Sequence, residues 1–136
     1  MRTAVAALAL ATALTLPAAA AEMVDSAPPP APFQKVSDLV ALPDFIPGLG
    51  DLYVDPATLP AGPFLAYDRQ GAIVSTIYMI PLADLEAGKA FDSLTAPGGP
   101  VDHVDIYYNA GHPGVEVPHT HVVLWHTADE TRVAAE

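Results

Sequence analysis

All five histidines of this 136-residue chain fall in its last third, at His103, His112, His119, His121 and His126. Neutral imidazole is a preferred ligand of borderline divalent ions, so the cluster points to zinc or copper. Side chains alternate along a strand, which puts His119 and His121 on one face, and His103 and Asp105 on one face of an earlier segment. If the two segments form an antiparallel hairpin, a natural register sets Asp105 opposite His119 and His103 opposite His121, with facing Cβ atoms about 5 Å apart. Three imidazoles with an open fourth position make a catalytic-type site, and Asp105 as fourth ligand would close it into a structural one. Asp105 behind a ligating histidine, fixing its tautomer, is the third arrangement. His112 belongs to the turn and swings over the patch, whereas His126 has the wrong parity and needs a bulge to join. The expected metal ligands are therefore His103, Asp105, His112, His119 and His121. A register slip of two would keep the strand ligands on one face but separate the pairs. The competing reading is a hydrogen-bonded patch without a metal, because Val123 and Trp125 share the face of His119 and His121, and Tyr107 that of His103.

The elements that must position these residues read as β-structure. Residues 101–108 and 118–126 are the clearest strands, joined by the turn formers Asn109-Ala110-Gly111-His112-Pro113-Gly114. Upstream, 64–67 and 72–80 flank Asp68-Arg69-Gln70-Gly71 and read as a hairpin. The second of these is rich in β-branched and aromatic residues, as a central strand should be. Leu52-Tyr53-Val54 reads as a short strand. Residues 33–42 have helical spacing ended by Pro43, and 81–89 suits a short helix with proline in its first turn. The apolar loop from Pro43 to Gly50 should plug Phe45 and Ile46 into the domain. The expected fold is mainly β, a small antiparallel sheet or barrel with one or two short helices.

Composition narrows the function classes. Arg2, the apolar run from Ala4 to Leu16, and Ala18-Ala19-Ala20-Ala21 have the pattern of a cleaved signal peptide over 1–21. The run is too short for a membrane anchor, and no second one follows. A proline-rich tether over 22–32, one domain over 33–127 and a polar, flexible tail over 128–136 complete the expected organisation. All 16 acids follow the signal, against four bases, Lys35, Arg69, Lys89 and Arg132. No basic patch can track phosphates, which argues against nucleic-acid binding and against an anionic membrane surface. With no cysteine there is no disulfide and no cysteine mechanism. Ser75 stands mid-strand outside any nucleophile elbow, no glycine-rich phosphate loop precedes a helix, and Asp51 and Asp55 lack calcium-loop spacing.

Two resemblances add to this. Gly114 through His119-Thr120-His121 resembles the first metal motif of cupins, but the glycine is one residue too close, the later glutamate position holds His126, and no second motif follows. Broader similarity runs through Pro63-Phe64-Leu65-Ala66-Tyr67-Asp68, Tyr78-Met79-Ile80-Pro81-Leu82, His103-Val104-Asp105-Ile106-Tyr107-Tyr108-Asn109, Gly111-His112-Pro113-Gly114 and Pro118-His119. These segments resemble a family of small exported bacterial β-rich domains of unknown function. The resemblance implies a shared fold and no activity. In the family pattern an aromatic and an acid follow the Pro-His, with a further histidine two residues on. Thr120, His121 and Val123 stand there in this chain. The expected role is an exported domain, periplasmic or secreted, that binds a divalent metal. The alternatives are a metal-dependent enzyme on a small substrate and a metal-free envelope interaction module.

Overall fold

The computed structural model describes residues 24–135, and the signal-peptide stretch lies outside them. Seven strands form one antiparallel sheet: β1 (Gln34–Lys35), β2 (Phe45–Ile46), β3 (Gly50–Val54), β4 (Phe64–Tyr67), β5 (Ile73–Pro81), β6 (His103–Asn109) and β7 (His119–Trp125). Two short helices, α1 (Val36–Leu39) and α2 (Leu82–Glu86), interrupt them. The order is β1-β3-β4-β5-β7-β6, with β2 also on β3. The sheet does not close into a barrel, which removes the barrel alternative and with it the cupin likeness.

β5 is central because its β-branched and aromatic residues can be covered on both faces. On one face Ile77 and Met79 stand beside Val123 and His121 of β7, in a core shared with Leu52, Val54 and Phe64. On the other, the Tyr78 hydroxyl donates to Thr95 O at 2.7 Å and accepts from Thr95 N at 3.0 Å, pinning the segment after α2 against the strand. Phe45 and Ile46 are half-buried against the core, as the plug reading expects.

The sequence-based elements differ from the structure in three places. Residues 33–42 form a two-residue strand and one helical turn, not a continuous helix. The tether segment contributes to the core: Val24 is buried, its carbonyl accepts from the Tyr67 hydroxyl at 2.7 Å, and Ile73 N donates to Asp25 O at 3.1 Å. The tail forms a 3₁₀ turn (Glu130–Val133) whose Val133 is buried in the main core. Arg132 of that turn donates to the buried carboxylate of Asp68, which also accepts from Gln70 N at 3.0 Å and Ala72 N at 2.9 Å. Among the described residues, no helix is long and apolar enough to cross a membrane.

Candidate metal centre

β6 and β7 pair antiparallel, as expected, but in another register. His103 faces Trp125, Asp105 faces Val123, Tyr107 faces His121 and Asn109 faces His119. The pivot of the hairpin is Gly114 rather than the earlier part of the turn. The reason lies in the connection, where His112 and Val115 exchange backbone hydrogen bonds of 3.0 Å each and fold a small turn within the loop. Gly111 and Gly114 adopt φ of +126° and +90°, where a glycine is required. A Cβ on Gly114 would also lie 3.1 Å from Val40 Cγ1, so this loop is packed tightly beside α1. Parity is preserved and the expected single patch is divided. The proposed pairing of His103 and Asp105 with His119 and His121 is therefore corrected: they share a face but stand four residues apart along it, roughly 13 Å at ~3.3 Å per residue.

At the loop end, His112, His119 and His121 each offer a ring nitrogen, and these atoms lie within 4.8 Å of one another. His119 and His121 are buried and His112 is half-buried. Backbone carbonyls orient two of the rings. His119 Nδ1 donates to Val117 O at 2.7 Å and His112 Nδ1 donates to Pro113 O at 3.0 Å. A carbonyl only accepts, so each ring directs an Nδ1 proton at it, and a ring carrying that proton alone keeps the Nε2 lone pair for another partner. His121 Nε2 lies 3.0 Å from His119 Nε2, and His121 Nδ1 lies 3.1 Å from the Tyr107 hydroxyl. Burial, followed by the neighbouring His119 and His112, pushes the His121 imidazole down to about 4, so it is neutral at pH 7. Burial, aided by the Asp105 charge, raises the Tyr107 phenol and keeps its proton in place.

These contacts define two protonation states. Without a metal the chain is closed: Tyr107 donates to His121 Nδ1, and His121 Nε2 donates to the Nε2 lone pair of His119. A metal on His121 Nε2 would require the His121 proton to sit on Nδ1, where the Tyr107 hydroxyl oxygen would accept it. Tetrahedral zinc at about 2.0–2.1 Å from each nitrogen needs them roughly 3.3 Å apart. The Nε2 atoms of His119 and His121, 3.0 Å apart, are near that spacing already.

At the other end, His103 Nδ1 is 2.8 Å from Asp102 Oδ2 and its Nε2 is 3.0 Å from Glu130 Oε1. The hydrogen bond to Asp102 leads in holding this ring above the usual histidine range; Glu130 supports it and desolvation opposes it. A ring donating from both nitrogens has no lone pair for a metal. Asp105 accepts from Trp125 Nε1 at 2.9 Å, while the His103 ring stacks on Trp125 at 5.9 Å between centroids. His103, Asp105 and Glu130 each offer a ligand atom within 4.8 Å of one another, but both His103 nitrogens, Asp105 Oδ2 and Glu130 Oε1 are engaged by protein groups. His126, of opposite parity, is held by Thr76 Oγ1 at 2.8 Å and Pro100 O at 2.9 Å, away from both clusters.

Sequence reasoning passed over Tyr107 as a site residue, although its parity with His103 and Asp105 was available. Glu130 carried no signal, since it arrives from the tail. Nor did the sequence announce the cavity of about 360 Å³ beneath β6 and β7, into which His112, His121 and Tyr107 face. Ser75 is wholly buried, and its Oγ has no hydrogen-bond partner among the described residues, so no base activates it.

With this geometry in view, comparison with known proteins places the fold. A family model described as TTHB210-like, hypothetical protein TTHB210, matches residues 68–108. The crystal structure of hypothetical protein TTHB210 from Thermus thermophilus aligns with a TM-score of 0.56 at 42% identity, covering 67% of this chain and 89% of that one. The chain belongs to the TTHB210-like family. No curated protein matches it. The match to the TTHB210-like model ends at Tyr108, so it includes His103, Asp105 and Tyr107 and stops before the loop and strand that hold His112, His119 and His121. Membership in the TTHB210-like family supports a shared domain and brings no reaction with it.

Proposed function

We propose that this domain is exported and binds one divalent transition metal, zinc or copper, through His112, His119 and His121. The observation that carries the reading is the triad itself: three imidazoles with a ring nitrogen each within 4.8 Å of one another, two of them tied through Nδ1 to backbone carbonyls, which leaves Nε2 to ligate. Behind the third stands Tyr107, in the position of a group that orients a ligand and tunes its basicity. Imidazole suits both ions, and in a site of this type copper(II) binds more tightly than zinc, with availability deciding occupancy. His103 and Asp105 are not ligands in this reading.

The test is elemental analysis of the untagged protein with calorimetric titration of zinc and copper. One ion per chain is expected. The His119→Ala/His121→Ala variant should lose it and His103→Gln should keep it. Unchanged stoichiometry in the double variant would refute the site.

A second reading, a metal-dependent enzyme acting on a small substrate, is favoured by one feature. His112 and His121 line the cavity, so a metal held by the three histidines would stand beside a space that could admit a small substrate. The interaction-module reading is weakened by Phe45 and Ile46, which pair with β3 and pack on the core, with the Arg69 guanidinium 3.6 Å over the Phe45 ring.

A further inference from the structure

We propose that the cavity beside the histidine cluster binds a small neutral molecule with an apolar body and a single hydroxyl group. The space of about 360 Å³ falls within the range of small-molecule sites.

The wall is divided by chemistry. α1 and the segment after it supply Val36, Val40, Ile46 and Leu49, and the sheet adds Leu52 and Met79. The polar groups Tyr107, Asn109, His112 and His121 all come from β6, β7 and their connecting loop. An apolar body is favoured along the first side and a single polar head is required at the second.

The polar side selects the head. Among the described residues, no lysine or arginine lines the cavity, so nothing there balances a carboxylate or phosphate, and burying an unpaired charge is strongly unfavourable. A hydroxyl is matched on both counts. His112 donates through Nδ1 to Pro113 O, which leaves Nε2 to accept the hydroxyl proton. Asn109 Oδ1 already accepts from Gly111 N at 2.8 Å, which leaves its NH₂ to donate to the hydroxyl oxygen. The inference uses the metal-free arrangement and stands independently of the metal reading.

The experiment titrates the untagged protein, held metal-free by chelator, with 1-hexanol, 1-heptanol and 1-octanol, followed by calorimetry and amide shifts. Saturable one-to-one binding is expected, tightening about three- to fourfold for each added methylene. Octanoate near neutral pH should bind about tenfold more weakly than 1-octanol, or worse. Leu42→Trp, which adds bulk at the cavity rim, should weaken 1-octanol by about tenfold. Affinity indifferent to chain length, octanoate equal to octanol, or an unaffected folded tryptophan variant would each overturn the proposal. Should that variant fail to fold, the alcohol series and the octanoate comparison on the natural chain decide. Zinc titration of the same protein reads separately. Alcohol binding without zinc binding keeps the cavity site and removes the metal site, and the converse removes the cavity site.

Discussion

The two ends of the β6–β7 face both carry histidine on the same pair of strands, yet they do opposite things with it. At the loop end His119 and His121 are buried, His121 is held neutral, and a carbonyl and a phenol orient the two rings so that their Nε2 atoms meet. At the tail end His103 is partly exposed and held between the carboxylates of Asp102 and Glu130, so its ring nitrogens donate outward. A histidine becomes a metal ligand when its other nitrogen is occupied by an acceptor and its surroundings keep it neutral. Between two carboxylates it becomes a cation instead.

The comparison can be broken most directly at His119. His119→Ala removes a proposed ligand and leaves a hole in a wholly buried position; zinc affinity should fall by about a hundredfold or more and stability by about 2–4 kcal/mol, read by calorimetry and denaturant unfolding. A variant that melts lower but binds zinc as before would put the ligands elsewhere. Tyr107→Phe tests the group behind His121. Zinc affinity should drop about tenfold, with the stoichiometry intact.

The two ends should also differ in the sign of their pH dependence. His121 has a folded pKa of about 4, below its unfolded value. In metal-free protein its contribution is complete above the unfolded value near 6.5 and declines as the pH falls from there toward 4, because only the unfolded chain takes up the proton. His103 is shifted upward, so its contribution is complete below about 6.5 and is lost as the pH rises through the folded value. Histidine titrations by NMR, with melts across this range, should show the first slope removed in His121→Phe and the second in His103→Gln. The smallest effect expected is that of His103→Gln on zinc, where affinity should stay within about twofold because the two ends are far apart.

Much of the fold was legible in local pattern. The β-branched run of β5, the 64–67 strand and the alternation of β6 and β7 all marked their elements within a residue or two. The shared face of His119 and His121 was legible for the same reason, since parity needs only spacing. Register was not. It depends on how the loop between Asn109 and His119 folds on itself, and the His112–Val115 turn inside it moves the pivot to Gly114. Two residues of pivot turned one expected site into two regions of different chemistry. The tail and tether were misread for a related reason. Val133 and Val24 each enter the core through partners far away in sequence, such as the Arg132–Asp68 pair across 64 positions. Local composition carries no trace of such contacts.

The central claim is that the loop-end triad, and not the tail-end cluster, is a metal site whose switch is the tautomer of His121. The most direct measurement is the long-range ¹H–¹⁵N correlation spectrum of the five imidazoles, recorded metal-free and with one equivalent of zinc. The account predicts that the His121 proton sits on Nε2 without metal and on Nδ1 with it. His112 and His119 should keep theirs on Nδ1, and His103 should remain unchanged. Five imidazoles indifferent to zinc, or a zinc response confined to His103, would contradict it.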